Sequence, residues 1–349
     1  MLTQAAHIKR KELITVMKNA CIVGYGAIGP VHAKALDSTD NANFYAVCDI
    51  DESKLSLCKS QYNVVAYDDL DTMLSDENID CVHICTPHYL HKDMAVKAMR
   101  AGKHVVLEKP AAMNDAEFDE LLQVQNEMGA KVCIMLQNRM NNGIQMIKTL
   151  SDDLSLGKLV GIECSLMWYR NADYYRSAPW RGTWQYEGGG LLINQAVHLI
   201  DLVDYVGGGI RSMRANISTK MLDNVIEVED TADALITMNN GVRACFYATN
   251  TYDADKPFRL EMQYENALLR YADNRLYKIA DNVEIIAEDG KNDIGKKYWG
   301  NGHPAVIAQF YHSLCNGGEY LRLEDSINST RALFAFYKSS AAGGAEVIL

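Results

Sequence analysis

Short apolar runs alternate with segments of helical period over the first 140 residues. The runs are Ala20–Val23, Phe44–Cys48, Val64–Val65, Cys81–Cys85, Val105–Leu107 and Val132–Leu136. Between them, Val31–Leu36, Ser53–Gln61, Asp69–Leu74, His91–Ala101 and Asp115–Met128 carry helical spacing. Runs this short and apolar are covered on both faces, so the pattern predicts a parallel sheet of βαβ units. A further short helix is predicted over residues 8–18. After about residue 140 the period changes. Ile144–Leu150 is helical, then alternating segments dominate: 159–169, 211–219, 231–239, 242–252, 257–265 and 267–287. Asn240-Gly241 between two of them is a hairpin signal. One helix, Leu191–Val206, interrupts this antiparallel pattern. Helices at about 304–315 and 325–341 and a strand at Glu346–Leu349 close the chain. The expected organisation is an α/β domain over 1–140 and an α+β domain over 141–349 with an open, mainly antiparallel sheet. The terminal helices are expected to pack back toward the first domain.

Composition narrows the function class. The 349 residues are 48% apolar and 23% charged, those of an ordinary globular protein large enough to bury a core without disulfides. The net charge of −11 repels phosphate backbones and anionic membranes, so neither nucleic acid nor a membrane is an expected partner. Nine scattered cysteines with no C-x-x-C pair read as reduced thiols in a cytoplasmic protein. Residues 1–18 are basic and lack the apolar stretch of a secretory signal. No run of 18 apolar residues occurs.

The first chemistry lies at Gly24-Tyr25-Gly26-Ala27-Ile28-Gly29, after the first strand and before a helix. Gly24 suits a tight turn, Gly26 lets a pyrophosphate approach the backbone, and Gly29 permits close helix–strand packing. Ala27 and Ile28 bring N–H groups to the positive end of the helix, and Pro30 there loses no hydrogen bond. Asp49 stands 20 residues after Gly29, at the end of the second strand, where a carboxylate accepts ribose hydroxyls. This is a Rossmann pattern. Asp49 and Asp51 repel a 2′-phosphate, which favours NAD over NADP; Lys54 is the residue that argues the other way.

Further motifs follow in order: Thr86-Pro87 with His91, Gly102-Lys103-His104-Val105, Glu108-Lys109-Pro110, and Gly188-Gly189-Gly190 leading to His198 and Asp201. Together with the glycine turn they resemble the Gfo/Idh/MocA oxidoreductase family, from about residue 18 to 349. The resemblance implies hydride transfer between a nicotinamide cofactor and a secondary hydroxyl or ketone of a sugar, sugar derivative or polyol. It implies that Lys109 reaches the reacting centre, that the Lys109–Pro110 peptide is cis, and that His198 faces the same hydroxyl. Thr86, Pro87, His88 and His91 are expected at the mouth facing the cofactor, with Glu108, Lys109, Asn138 and Arg181 completing its contacts.

Alcohol oxidation needs a base as well as a hydride acceptor. His198 is the natural base, since imidazole titrates near neutral pH. Lys109 must be desolvated to lose its proton; otherwise it stays charged and stabilises an alkoxide. Asn194 and His198 share a helix face at i, i+4, with Asp201 close by. Relatives resembling inositol dehydrogenase carry aspartate where Asn194 stands, so no proton relay is expected there and Asn194 is expected to bind a substrate hydroxyl.

Residues 168–186 concentrate Trp168, Trp180, Trp184, four tyrosines and three arginines. Aromatic faces suit the C–H faces of sugar rings, so Tyr169, Arg170, Tyr174 and Trp180 are expected at the substrate. The competing reading is a subunit interface. No metal is expected: Cys81, His83 and Cys85 on one strand face lie roughly 6.6–7 Å apart, too far for one zinc. Glu227, Glu229 and Asp230 read as the solvated start of a strand. The function that fits is an NAD-dependent sugar or polyol dehydrogenase, working as a dimer or tetramer through its open sheet. Two alternatives remain: glycoside cleavage by transient sugar oxidation, and a non-catalytic dinucleotide sensor.

Overall fold

A computed structural model describes residues 17–151, 153–290 and 302–349. The helix expected over 8–18 lies outside the described residues up to residue 16, and Lys18 already opens a strand. Six strands form the first sheet: β1 (Lys18–Val23), β2 (Ala42–Cys48), β3 (Val65–Tyr67), β4 (Cys81–Ile84), β5 (His104–Leu107) and β6 (Val132–Ile134). Their order is β3-β2-β1-β4-β5-β6 and every pair is parallel. Between them run α1 (Gly29–Asp37), α2 (Glu52–Gln61), α3 (Leu70–Leu74), α4 (His88–Arg100) and α5 (Asp115–Met128). Asp51, Asp69 and Asn114 cap α2, α3 and α5 through their side chains. The order reverses between β1 and β4, which opens a crevice at the carboxyl ends of those strands.

After a 3-10 turn at Gln137–Met140, α6 (Asn142–Leu150) leads into β7 (Leu159–Met167) and α7 (Ala172–Arg176). The predicted helix at 191–206 is two elements: a π turn over Leu192–Ala196, then α8 (Val197–Gly207). Next come β8 (Ile210–Ser218), β9 (Thr231–Met238), β10 (Arg243–Thr249), β11 (Arg259–Tyr264), β12 (Leu268–Ala272), β13 (Arg275–Ile279) and β14 (Val283–Glu288). The alternating stretch 267–287 is thus three strands. Asp273 and Asn274, both at positive φ, make the tight turn between the first two. α9 (Gly302–Asn316), α10 (Ile327–Ala341) and β15 (Val347–Ile348) complete the chain. The second sheet runs β14-β13-β12-β11-β7-β10-β9-β8-β15. It is antiparallel except for the β7–β10 pair.

Each sheet has its own core. Val306, Ile307, Phe310 and Tyr311 of α9 join the first core, while Leu333 and Phe336 of α10 join the second with Leu199, Ile200 and Val203 of α8. The last helices therefore divide between the lobes.

Glu229 and Asp230 correct the expectation of a solvated acidic cluster. Both are buried. Glu229 accepts hydrogen bonds from Gly190 N (3.0 Å), Leu192 N (2.9 Å) and Tyr337 Oη (3.1 Å), and burial pushes it up to about 7. A Cβ on Gly190 would lie 2.1 Å from the Glu229 carbonyl, so only glycine permits this approach. Asp230 accepts the amides of Lys220 and Met221.

One buried ion pair joins the lobes. Arg139, after the first sheet, donates from Nε to Asp201 Oδ2 (2.8 Å) and from Nη2 to Asp201 Oδ1 (2.6 Å). Its Nη2 also reaches Asp325 O at 2.9 Å, and Ser329 Oγ donates to Asp201 Oδ1 at 2.8 Å. Removing one partner strands the other charge in the interior, so Arg139→Ala should cost about 3–5 kcal/mol in denaturant unfolding.

Candidate active site

The turn after β1 is shaped by contact. Gly24 has φ +88°, and a Cβ there would lie 2.8 Å from Cys85 O. A Cβ on Gly29 would lie 2.6 Å from Gly24 O, whereas one on Gly26 would meet nothing within 4 Å. Gly29 is thus a packing residue behind the cleft, and Gly26 faces open space. Asp49 ends β2 with Oδ2 accepting from Tyr25 N (2.7 Å) and Oδ1 from Asp51 N (2.9 Å). Lys54 Nζ lies 3.7 Å from Asp49 Oδ2 and 4.0 Å from Asp51 Oδ2, so two carboxylates face its charge.

A cleft of about 680 Å³ runs from this turn to the second lobe. Gly24, Gly26, Ala27, Ile28 and Asp49 form one end. Thr86, Pro87, His88 and His91 line the middle with Glu108, Lys109 and Asn138. Arg170, Tyr174, Trp180, Arg181, Asn194 and His198 line the far side. Tyr169 is a correction: it is 50% exposed and absent from the cleft wall, its backbone N–H held by Asp255. Trp184 and Tyr186 are likewise exposed.

Lys109 enters on the loop after β5, and the Lys109–Pro110 peptide is cis. Its Nζ donates to Asn194 O at 2.7 Å, and burial lowers its pKa. Glu108 is held differently from the expected cofactor contact. Its Oε1 lies 3.0 Å from His32 Nε2 and 3.5 Å from His303 Nε2, and Oε2 accepts the Lys109 N–H at 3.2 Å. These partners keep the carboxyl well below its ordinary range despite its burial. The network continues from His32 Nδ1 to His83 Nδ1 (2.8 Å) and from His83 Nε2 to Tyr311 Oη (2.9 Å). It is self-consistent when Tyr311 donates to His83, His83 to His32 and His32 to Glu108. His91 braces two loops, with ring nitrogens 2.7 Å from Pro110 O and 2.8 Å from Thr86 O.

His198 opens α8. Burial and the neighbouring Lys109 charge push it down to about 3, so the ring stands neutral. Its Nε2 is 3.4 Å from Gln137 Nε2, and its buried Nδ1 has no protein partner. Asp201 does not orient it, being committed to Arg139 and Ser329. Asn194 lines the cleft, and its side-chain Nδ2 donates to Glu187 Oε1 at 2.5 Å. Arg170 is paired with Asp255 (2.8 Å) and lies over the Trp168 and Tyr174 rings. Arg181 lies over Trp180 and Tyr174 and donates to Tyr174 Oη at 2.5 Å. Trp180 packs against His88, ring centres 5.0 Å apart.

Sequence reasoning missed Gln137, His303 and Glu187. None stands in a recognisable motif; only the acid at 187, just before the glycine triplet, offered a signal. Four cleft residues present buried polar atoms without a protein partner: Gln137 Oε1, Asn138 Oδ1, Arg181 Nε and His198 Nδ1. With the open space at Gly26 and the acid at Asp49, this donor and acceptor set fits a dinucleotide and a hydroxylated partner.

Comparison with known proteins agrees. Residues 18–136 match the oxidoreductase family with an NAD-binding Rossmann fold, and residues 144–270 match the GFO/IDH/MocA C-terminal domain. The chain is 23% identical over 285 residues to myo-inositol 2-dehydrogenase of Thermotoga maritima, covering 79% of this chain and 80% of that protein. It is 29% identical over 196 residues to 2,7-anhydro-N-acetylneuraminate hydratase of Escherichia coli, 56% and 50% of the two chains. The crystal structure of the WlbA dehydrogenase from Bordetella pertussis, in complex with NADH and UDP-GlcNAcA, superposes with a TM-score of 0.85 at 26% identity over 96% of this chain and 98% of that one. The chain belongs to the Gfo/Idh/MocA oxidoreductase family, whose first domain has an NAD-binding Rossmann fold.

Proposed function

We propose that the protein is an NAD-dependent dehydrogenase acting on a secondary hydroxyl of a sugar, sugar derivative or polyol, with Lys109 and His198 at the reacting oxygen. The observation that carries this reading is the meeting of two half-buried nitrogen bases, one from each lobe, on the wall of the cleft that begins at the dinucleotide turn, close enough that the Lys109 charge lowers the His198 pKa. NAD, when bound, supplies the hydride acceptor. The remaining work falls to the chain. Lys109, partly desolvated and bonded to a neutral carbonyl, stands as the free amine at lower pH than a surface lysine does, and that amine accepts the hydroxyl proton. His198 is too weakly basic to store that proton. It orients the hydroxyl through its unpartnered Nδ1, which revises the expectation that it is the base. Trp168, Tyr174 and Phe258 give the far side apolar faces suited to a sugar ring. Relatives named for myo-inositol and a relative bound to a sugar nucleotide support the substrate class.

A second reading keeps the same site. Transient oxidation followed by elimination and return of the hydride gives no net redox change, and the relative named as a hydratase favours it. We also propose self-association through the outer face of the second sheet, where Leu235 and Tyr247 stay exposed.

A panel of myo-inositol, glucose 6-phosphate, levoglucosan and UDP-GlcNAcA with NAD, read by NADH absorbance, tests the assignment. NADH that forms in a single turnover and does not accumulate marks the second reading. Lys109→Met should lower turnover at least about 100-fold. In the wild type, the oxidation rate should rise with pH through a transition below the ordinary lysine range, because the neutral amine is the active form and burial lowers its pKa. A profile flat from neutral pH to the lysine range contradicts this role. Asp49→Asn removes the charge that faces a 2′-phosphate, and the NAD-over-NADP preference in kcat/KM should fall about tenfold.

A further inference from the structure

Behind the cleft wall lies a carboxylate that no motif accounts for. Glu187 is 1% exposed. Its Oε1 accepts from Asn194 Nδ2 and its Oε2 from Gly182 N, each at 2.5 Å. Its backbone carbonyl lies 2.9 Å from His88 Nδ1. Asn194 is therefore held on two sides, its side-chain amide on Glu187 and its backbone carbonyl on the Lys109 ammonium.

That ammonium is half-buried against a neutral acceptor, and a charge partly withdrawn from water is favoured by a nearby opposite charge. Its surroundings are Glu108 in its own loop, Arg181 and Glu187 from the aromatic segment, His88 and His91 of α4, His198 of α8 and His303 of α9. Only Glu108 and Glu187 can be anions. Glu108 is hydrogen-bonded by two imidazoles and a backbone N–H, and its charge is the larger of the two that favour the ammonium. The donors on Glu187 are neutral amides; burial raises its pKa, and the neighbouring Arg181 and Lys109 charges oppose that rise, so its carboxylate is the second anion facing Lys109.

Resting on the reading of Lys109 as proton acceptor, we propose that Glu187 is the positioning residue of this site: acting through Asn194, it seats the Lys109 ammonium and adds a second negative charge, beside that of Glu108, that favours it. The same carboxylate holds Gly182, so the seat of the lysine and the Trp180–Arg181 wall are tied to one group.

The test needs no substrate. Competitive acetylation of the full-length protein with acetic anhydride across pH, read by mass spectrometry on the Lys109 peptide, yields the pH of half-reactivity. Glu187→Gln keeps the shape and removes the charge, and should lower that pH by about one unit. Glu187→Gln combined with Asn194→Asp moves the carboxylate to position 194 with the hydrogen bond reversed, and should restore it. Glu120→Gln on α5, an acid remote from the cleft, should change nothing. A folded Glu187→Gln protein with unshifted Lys109 reactivity overturns the proposal, as does a double variant that fails to restore it. Should Glu187→Gln not fold, the reciprocal measurement decides. In Lys109→Met, the infrared carbonyl band of a protonated buried carboxyl should persist to higher pH, because Glu187 has lost its cation; an unchanged band overturns the proposal. If Lys109→Met is inactive while the coupling is missing, only the role of Glu187 falls. If Lys109→Met keeps full turnover while the coupling is present, only the functional reading falls.

Discussion

One lysine nitrogen, partly withdrawn from water where the two lobes meet, is the constraint around which the cleft is arranged. Moving an ion of that size into a protein interior costs several kcal/mol even after relaxation. Lys109, half-buried where the two lobes meet, bears part of that cost, and its neighbours are those that limit it: the Asn194 carbonyl at 2.7 Å and two buried carboxylates. The Arg139–Asp201 pair ties the lobes together a few residues away from Gln137, Asn138 and His198.

The two lobes contribute different chemistry. The first offers backbone: a glycine turn, a helix start and an acid at a strand end. The second offers side chains, a wall of Trp168, Arg170, Tyr174 and Arg181 whose guanidinium groups are spread over aromatic rings. Between them stands the π turn at Leu192–Ala196, a conformation frequent at functional sites. It follows directly from the glycine triplet, which the Glu229 carboxylate holds in place, and it carries Asn194, whose two polar ends face Lys109 and Glu187.

A second polar chain lies deeper. Tyr311, His83, His32 and Glu108 connect α9, β4, α1 and the loop of Lys109 through hydrogen bonds of 2.8–3.0 Å. Buried polar chains of this kind are costly when broken and specific when complete. Here the chain ties a helix from the far end of the sequence to the first sheet, beside the apolar contacts of Val306, Ile307 and Phe310. It also gives His83, in the run Cys81-x-His83-x-Cys85, a partner on each ring nitrogen.

Strand and helix order, the dinucleotide turn and the position of Lys109 at a strand end were all readable along the chain, because periods of 2 and 3.6 and the turn preferences of glycine act over a few residues. The fate of the charges was not. Asp201 found Arg139 rather than His198, 62 residues upstream. Glu229 was buried against the backbone of Gly190 and Leu192, 39 and 37 residues before it, though its own neighbours look solvated. His198 lost its basicity to burial and to a lysine from the other lobe. Local sequence therefore determined the elements and the places where chemistry could occur, whereas the protonation and partners of each polar group were decided only when packing brought distant residues together, since desolvation and Coulomb interactions depend on distance in space and not along the chain.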